Sequence, residues 1–417
     1  MSTPLKSTRE HGLDTRPQLG RGPSDLFAHG PHGHSPRPRT AIPWGVAFMV
    51  ILIVMIECLV TRCRLDLTDP VSLNWRFSAQ TVRAKSVGCD LLVLGDSLVK
   101  HGLLPNVIEH DTGRRTVNLS AARAPTLLSY LLLRRALDAG ARPQAIIINT
   151  KPAILMADLQ FNARYLEEIV TARECLEISG LTRNHPFLLS MIVGRLIPSL
   201  RSRLEIQSNV LAAVRGERDR IGAINRVLWR NWTVNQGANV AATVSPNQGT
   251  VRPDVEQRLH PRQFHVDPSN VEGMERLMRL AQARGIPVFW LLPPLSPALQ
   301  SLRDQSGSET RYEQFVRSFM ARYPRQLTVL DVRRAGFPTS FFIDETHLNH
   351  AGAIALSRAV AKAVPTILGR SQPASSSDWV ALTIPASQPA ESDFAIEDIE
   401  ESKQILNLST AASVSSR

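Results

Sequence analysis

Short apolar runs alternate with amphipathic stretches between residues 86 and 366. Such continuous apolar runs are typical of strands that are covered on both faces. This alternation predicts an α/β fold with a doubly wound, mostly parallel sheet. The predicted strands cover residues 91–94, 116–119, 145–148, 288–292 and 327–332. The predicted helices between and after them cover residues 127–137, 272–283, 311–321 and 351–363.

Residues 155–265 interrupt this rhythm with a long stretch rich in Leu, Ile and Arg at helical spacing, which becomes polar from Asn235 to Gly249. Pro198 kinks or ends any helix that contains it, because proline lacks the backbone N–H and its ring clashes with the preceding turn. We predict a helical insertion, which forms either a cap over the sheet or a plain helical layer of the fold.

Both ends of the chain lack a hydrophobic period. Residues 1–40 are rich in Gly, Pro, His and Arg, and residues 371–417 are rich in Ser, Ala, Pro and acidic residues. Such segments bury too little apolar surface to offset the entropy lost when the chain becomes ordered. We predict disordered tails at both ends and a connector over residues 62–85.

One apolar segment, residues 41–61, is long enough to cross a bilayer, since about twenty apolar residues span the hydrocarbon core. Trp44 lies near one end, where an interfacial indole is favoured, and Glu57 lies one turn from the other. The segment predicts a single-pass transmembrane helix, with a buried core helix as the alternative. Arginines flank both sides and do not fix the orientation. A short tail before a large domain favours a membrane protein whose folded domain is extracytoplasmic.

The charge and the cysteines exclude several classes of protein. The net charge is +11, but the arginines are scattered and form neither a zinc-finger spacing nor an unbroken basic run. We therefore expect no nucleic-acid partner. The cysteines Cys58, Cys63, Cys89 and Cys175 include no CxxC pair and indicate neither a zinc site nor a disulfide scaffold, and one bridge among the last three remains an alternative. No metal site and no cofactor are predicted.

A serine follows the first predicted strand in the sequence LLVLGDSLVKHGLLP, residues 91–105. Gly95 permits a sharp turn, and the carboxyl end of a central parallel strand is the edge where such sheets bind ligands. If Ser97 begins a helix, the N–H groups of its first turn stabilise developing negative charge. Ser97 is thus a candidate nucleophile, and the alternative is that it only caps the helix. Lys100 and His101 follow by one turn, where we favour solvated surface over contact with substrate.

The second candidate segment is FFIDETHLNHAGA, residues 341–353. Asp344 and His347 are three residues apart, which places both on one side of a helical turn. An aspartate there accepts the Nδ1 proton of the histidine and leaves Nε2 free to face a serine. The alternative is the cap of a surface helix, and Asn349 and His350 are assigned to the turn that follows.

Together these two segments resemble the SGNH, or GDSL, hydrolase superfamily. Gly95, Asp96, Ser97 and Leu98 match the first sequence block of the family, and residues 344–347, Asp-Glu-Thr-His, match the last. The resemblance covers the region from residue 86 to residue 366 and implies the flavodoxin-like SGNH hydrolase fold. It also implies a catalytic triad in which Ser97 is the nucleophile, His347 the general base and Asp344 the orienting carboxylate.

The two middle blocks depart from the family pattern. After the second strand the chain has alanine where the family has glycine, and after the third strand the usual asparagine is absent from its place. The resemblance implies an oxyanion hole made by the backbone N–H groups of Ser97 and Ala122, or Ala121, and by Asn149. Lys151 is the alternative side-chain donor in the third block.

The resemblance implies acyl transfer through a serine ester, and hence an enzyme that hydrolyses ester bonds. Membrane-bound members of the superfamily often modify exported polysaccharides, so the expected partner is a glycan or small molecule that carries an ester. The alternatives are an O-acetyltransferase with the same triad, a non-catalytic protein that binds glycans or assembles an export complex, and a membrane lipase or thioesterase with residues 155–265 as its lid. Asn231, in Asn-Trp-Thr, is formally a glycosylation acceptor.

Overall fold

A six-stranded parallel sheet forms the centre of the protein in its computed structural model. The strand order is β2-β1-β3-β4-β5-β6, and every neighbouring pair is parallel. The strands are β1 (Leu91–Leu94), β2 (Thr116–Asn118), β3 (Ala145–Ile148), β4 (Val288–Leu292), β5 (Leu327–Asp331) and β6 (Trp379–Ala381). The structure describes residues 44–62, 68–197, 199, 202–215, 220–241, 249–259, 264–369, 379–384 and 394–407.

Seventeen α-helices and two short 3₁₀ helices, at Leu159–Asn162 and Thr339–Phe341, make up the rest of the secondary structure in these ranges. The α-helices are α1 (Trp44–Arg62), α2 (Pro70–Lys85), α3 (Ser97–Gly102), α4 (Pro105–Thr112), α5 (Thr126–Asp138), α6 (Pro152–Leu155), α7 (Ala163–Ile169), α8 (Ala172–Thr182), α9 (His185–Leu196), α10 (Arg203–Val214), α11 (Arg220–Val234), α12 (Pro253–Leu259), α13 (Pro268–Ala283), α14 (Pro297–Ser306), α15 (Ser308–Arg322), α16 (His350–Leu368) and α17 (Ile399–Ile405).

Hydrophobic cores lie on both faces of the sheet. Successive side chains of a strand point to opposite faces, so β1 contributes Leu92 and Leu94 to one core and Leu91 and Val93 to the other. Helices α2, α5, α13 and α15 supply the first core, and α4 and α16 supply the second. The prediction of an α/β fold with a parallel sheet is therefore confirmed, and the five predicted strands are all present.

The prediction of a connector over residues 62–85 is wrong for residues 70–85, which form α2. Asp69 caps this helix by accepting from the backbone N–H groups of Val71 and Ser72. Trp75 is fully buried and its indole N–H donates to the backbone carbonyl of Ala122 at 2.7 Å. Helix α2 is thus part of the folded domain and contacts the loop that follows β2.

The prediction of a disordered tail after residue 371 is wrong for residues 379–384 and 394–407. Strand β6 pairs with β5, and α17 packs against α11. Arg230 binds the Glu397 carboxylate at 2.7 and 2.9 Å. The backbone carbonyl of Glu397 accepts from the Asn231 and Asn235 side chains at 2.8 and 2.7 Å. These contacts hold the C-terminal segment on the domain. The predicted N-terminal tail, residues 1–40, lies outside the described residues.

The insertion between β3 and β4 forms a helical layer over most of its described length. Helix α7 packs against α2, α8 against α9 and α13, and α11 against α2 and α17. Two parts reach the carboxyl edge of the sheet. Gly237, with φ +100°, packs directly on the backbone carbonyl of Asn118, and the backbone N–H of Arg252 donates to the Glu345 carboxylate at 2.9 Å.

Helix α1 presents large apolar side chains to its surroundings, including Trp44, Phe48 and Ile51. The chain divides into two compact units within this helix, between Leu52 and Ile53. Among the described residues, only α16 is long and apolar enough to cross a membrane, and 56% of its 18-residue apolar window is buried. Because α16 contributes to the second core, we interpret it as a core helix. The apolar part of α1, Trp44–Cys58, is shorter, and the transmembrane helix over residues 41–61 stays a prediction.

The described cysteines form no disulfide, and the Asn231 side chain lies inside the fold. Cys58, Cys89 and Cys175 are free, and Cys63 lies outside the described residues. Asn231 is fully buried, and its side-chain oxygen accepts from the backbone N–H of Val240 at 3.0 Å. Since the folded chain encloses this amide, Asn231 is not a glycosylation acceptor in the folded protein.

Candidate active site

The chemically distinctive residues meet at the carboxyl edge of the sheet. Ser97 follows β1, Asn149 and Lys151 follow β3, and Asp344 and His347 lie in the segment after β5. Parallel strands all end at the same edge, so residues far apart in sequence come together there. Ligands of open α/β sheets bind in this position.

The turn between β1 and α3 requires a glycine. Gly95 has φ +143°, and a Cβ built on it would lie 2.5 Å from the backbone carbonyl oxygen of Asn149. Asp96, not Ser97, caps α3, because its Oδ1 accepts from the backbone N–H of Leu98 at 2.8 Å. Its Oδ2 accepts from the backbone N–H of Lys151 at 2.7 Å. The alternative that Ser97 only caps the helix is wrong, and its hydroxyl is left for other contacts.

Ser97, His347 and Asp344 form a continuous chain of hydrogen bonds. Ser97 Oγ lies 2.9 Å from His347 Nε2, and His347 Nδ1 lies 2.8 Å from Asp344 Oδ2. The expected helical turn is absent: the segment is a loop closed by a β-bridge between Phe342 and Leu348. Within it, Asp344 Oδ1 accepts from the backbone N–H of His347 at 2.8 Å. The Asp-x-x-His spacing brings the two side chains together through this loop.

The environment of Asp344 favours its carboxylate form. Burial on its own raises the pKa, but the hydrogen bond and charge of His347 and the backbone N–H groups of Thr346 and His347 outweigh it, so the pKa falls well below its usual range. An ionised Asp344 accepts the Nδ1 proton of His347. The tautomer assigned from this contact leaves Nε2 as the acceptor for the Ser97 hydroxyl.

The structure corrects two of the predicted oxyanion-hole donors. The backbone N–H of Ala122 donates to Asn74 Oδ1 at 2.7 Å, and that of Ala121 donates to the carbonyl of Gly95 at 2.9 Å. Asn149 is buried, and in the amide orientation that satisfies both of its atoms, Nδ2 donates to Asp96 Oδ1 at 2.9 Å. None of these groups is available to a substrate. Asn74 belongs to α2. The segment that we predicted to be a connector therefore accepts from the Ala122 N–H that the resemblance assigned to the oxyanion hole.

Two donors remain beside the Ser97 hydroxyl. Ser97 is the first residue of α3, where a backbone N–H has no partner within the helix. The Lys151 ammonium lies 3.3 Å from Ser97 Oγ. Within the described part of the chain, no carboxylate pairs with this ammonium. The sequence indicates this lysine only as the alternative to Asn149, by its position in the third block.

Lys100 and His101 are not the solvated surface residues that we favoured. The His101 and His347 rings pack together with centroids 4.8 Å apart. Burial, and then the positive charge of His347, lowers the pKa of His101 well below its usual value. Lys100 is 2% exposed, and its ammonium lies 4.8 Å from the Trp232 ring centroid and 5.4 Å from that of Phe77. Helix α3 has only six residues, too few to show a hydrophobic period from which the burial of Lys100 and His101 could be predicted.

A narrow cleft lies beside Ser97. Its apolar wall comes from Leu98, Leu295 and Leu299, which form a separate small cluster. The residues that line it are Leu98, Lys151, Pro152, Ala153, Leu295, Leu299, Arg303 and Thr346. Two wider surface depressions are lined by none of these residues. Among the described residues, no group of three or more His, Cys, Asp or Glu side chains is arranged to hold a metal ion.

The carboxyl edge of the sheet thus holds a serine, a histidine and an aspartate in hydrogen-bond contact, with a lysine beside the serine. Any assignment of activity must rest on the sequence motifs and this geometry. Comparison with protein-family models and with curated proteins yields no match for this chain.

Proposed function

We propose that the protein is a serine-dependent ester hydrolase of the SGNH type. The observation that carries the proposal is the relay from Ser97 Oγ to His347 Nε2 at 2.9 Å and from His347 Nδ1 to Asp344 at 2.8 Å. A serine hydroxyl is a weak nucleophile unless an adjacent base accepts its proton. Here His347 is within hydrogen-bond distance of the Ser97 hydroxyl, and Asp344 is within hydrogen-bond distance of His347.

The proposed reaction has two halves. Ser97 Oγ attacks the ester carbonyl while His347 Nε2 takes the hydroxyl proton, and the leaving alcohol receives that proton as the C–O bond breaks. Water then attacks the acyl-serine, with His347 as the base, and the acid departs as Ser97 regains its proton. Asp344 stabilises the imidazolium that forms in each half.

The sheet supports the proposed SGNH fold. The order of its first five strands, β2-β1-β3-β4-β5, is the order of flavodoxin-like doubly wound folds. In that arrangement the ligand crevice lies where the strand order reverses, between β1 and β3. Ser97 follows β1 and Lys151 follows β3, so the candidate site lies at this switch point.

The cleft favours a small acyl group. The cleft is narrow and is walled by the small cluster of Leu98, Leu295 and Leu299, and a long lipid chain requires a longer apolar groove. We therefore propose that the substrate is an O-acyl group on a glycan or small molecule, with short acyl chains preferred. An O-acetyltransferase would use the same residues and differ in its acceptor.

We also propose that α1 anchors the protein in a membrane as a single span, with the hydrolase domain on the extracytoplasmic side. The support is the run of exposed apolar side chains along α1, among them Phe48, Ile51 and Val54. Such a surface is unfavourable in water and favourable in a bilayer. Flotation of the full-length chain with liposomes, compared with a variant carrying Ile51→Asp and Val54→Asp, tests this anchor. Equal flotation of the two proteins would contradict it.

The enzymatic proposal is tested on the full-length chain purified in detergent. Hydrolysis of p-nitrophenyl acetate and labelling by a fluorophosphonate probe are measured for the wild type, Ser97→Ala and His347→Gln. Because triad members act as a unit, we expect each variant to lose roughly three to six orders of magnitude in kcat. Ser129→Ala, which alters a buried serine on α5, is the matched control. Turnover in Ser97→Ala equal to that of the control would refute serine catalysis.

A further inference from the structure

The Ser97 hydroxyl has a second polar neighbour besides the catalytic histidine. His347 Nε2 lies 2.9 Å from Oγ, and Lys151 Nζ lies 3.3 Å from it. In an acyl transfer, the substrate carbon becomes bonded to Oγ and carries the former carbonyl oxygen as an oxyanion. A cation that contacts Oγ is therefore close to the position where this negative charge develops.

The rest of the oxyanion hole is sparse. The Ala121 and Ala122 N–H groups donate to Gly95 and Asn74, so neither turns toward a substrate. The backbone N–H of Ser97 remains at the start of α3. Losing one donor of an oxyanion hole costs about a hundred- to a thousandfold in kcat. A site with a formed triad and one backbone donor therefore needs another group for the anion.

The backbone holds Lys151 in place for this role. Its N–H is bound by Asp96 Oδ2 at 2.7 Å. The next residue, Pro152, begins α6, and its ring fixes the backbone at the first helical position. The side chain lines the cleft beside Leu98 and Thr346 and reaches the hydroxyl from there. Asp96 thus holds the backbone of Lys151, and the Lys151 ammonium contacts Ser97, because the strand order brings the two loops together.

We infer that Lys151 is a catalytic residue whose ammonium binds the oxyanion of the tetrahedral intermediate, in place of the side-chain amide that the SGNH resemblance implies. The inference rests on the proposed acyl transfer. As Oγ bonds to the carbonyl carbon, the π electron pair moves to the oxygen, and the ammonium donates a hydrogen bond to it without giving up a proton. When the intermediate collapses, the pair reforms the carbonyl and the leaving oxygen takes its proton from His347.

A role for Lys151 as the general base is less consistent with the geometry. His347 is closer to Oγ and is already oriented by Asp344, whereas a lysine must be neutral to accept a proton. The other cations of the site serve different partners: Arg303 lies 2.7 Å from Glu309 Oε2, and Arg252 binds Glu345 at 3.1 Å. Lys151 is the cation that contacts the reacting oxygen in the described structure.

The test compares Lys151→Met and Lys151→Arg in the full-length chain, with p-nitrophenyl acetate as substrate and phenylboronic acid as an analogue that forms a tetrahedral anion on serine. For Lys151→Met we expect kcat to fall about a hundred- to a thousandfold, KM to change little, and boronate affinity to fall in parallel with kcat. Lys151→Arg keeps a charged donor and should recover at least a tenth of the wild-type kcat. Lys362→Met, on the exposed face of α16, is the control.

The outcomes separate this inference from the proposed function. Wild-type kcat in Lys151→Met, with turnover still abolished in Ser97→Ala, would overturn the role of Lys151 and leave serine catalysis standing. A raised KM with unchanged kcat and boronate affinity would also overturn it, since that pattern reports uniform substrate binding. Absence of Ser97-dependent turnover in the wild type would instead refute the hydrolase. If Lys151→Met does not fold, Lys151→Ala, which also removes the donor, decides by the same measurements.

Discussion

Asp96 binds the backbone N–H of Lys151 at 2.7 Å with one carboxylate oxygen and caps α3 with the other. One side chain therefore fixes the distance between the loops that follow β1 and β3. The backbone N–H groups of Lys151 and Leu98 each require a hydrogen-bond acceptor in a defined position, and a negative charge nearby would not replace it. The consequence is that the position of Lys151 relative to Ser97 depends on a side chain that is fully buried.

Replacing Asp96 separates these two contacts. Asp96→Asn keeps an acceptor for the Leu98 N–H but presents its NH₂ group to the Lys151 N–H, so we expect a smaller loss of stability than in Asp96→Ala, together with a lowered kcat. Asp96→Ala loses both acceptors, and we expect the free energy of unfolding to fall by about 1–3 kcal/mol. Urea unfolding and ester hydrolysis measure the two effects. If both variants had the stability and the kcat of the wild type, the hydrogen bond between Asp96 and the Lys151 backbone would be unimportant.

Gly95, in the turn before Ser97, and Gly180, on α8, provide a matched pair of glycine substitutions. A Cβ at Gly95 would lie 2.5 Å from the carbonyl oxygen of Asn149, and φ is +143°. We expect Gly95→Ala to lower the free energy of unfolding by about 1–3 kcal/mol and to displace Ser97. At Gly180, on α8, a Cβ would meet nothing within 4 Å. Gly180→Ala should therefore raise stability by roughly 0.5–1 kcal/mol. If thermal melting showed that both substitutions raise the Tm, or that both lower it, this account would be contradicted.

The depressed pKa of His101 makes the stability of the protein depend on pH. Burial and then His347 lower this pKa in the folded state, while the unfolded value is about 6.5. The folded state therefore binds fewer protons, so stability is fully present above about pH 6.5 and is lost as the pH falls from there toward the folded pKa. We expect His101→Gln to reduce the drop in Tm between pH 7 and pH 5, and His185→Gln, at an exposed position, to leave it unchanged. Identical pH profiles for His101→Gln and the wild type would exclude this explanation.

Lys100 is the clearest destabilising feature in the described part of the chain. Its ammonium is buried over Trp232 and Phe77, and burial lowers its pKa well below the usual value. The contacts with the two rings offset only part of the cost of removing the group from water. We expect Lys100→Met to raise the free energy of unfolding by about 1–3 kcal/mol. A fall in urea-unfolding stability would mean that the ring contacts dominate, and a loss of kcat in a stable variant would reveal a functional role.

The strands were predictable from local sequence, and the contact between Ser97, His347 and Asp344 was predictable from two short motifs that the parallel sheet brings to one edge. Apolar runs such as residues 91–94 must be strands when both faces are covered, and the Gly-Asp-Ser turn needs only its own residues and the neighbouring carbonyl. Helix α2 was missed because Trp75 and Val82 are spaced among polar residues and carry little local apolar signal. Strand β6 was missed because three residues are too few for a pattern, and its place depends on pairing with β5.

The oxyanion hole could not be predicted for a different reason. Whether the Ala122 N–H is free depends on Asn74, which lies 48 residues earlier in the chain. Whether Asn149 faces a substrate depends on Asp96, which holds its amide in the interior. Whether a donor is free in the folded protein depends on which distant residue binds it, and a short sequence motif does not contain that information. The lysine that contacts Ser97 was visible in the sequence only as an unusual residue in the third block.

Strand β6 protects the remainder of the sheet from other molecules. It pairs with Val329, Leu330 and Asp331 of β5 and so covers backbone groups that would otherwise form an open apolar edge. An unpaired edge of this kind recruits strands from neighbouring chains. A chain cut near residue 370 would keep Ser97, His347 and Asp344 and still tend to aggregate. Inactivity of such a fragment would report its poor solubility. Proteolysis of the C-terminal segment in the cell would remove the protein by precipitation while leaving Ser97, His347 and Asp344 intact.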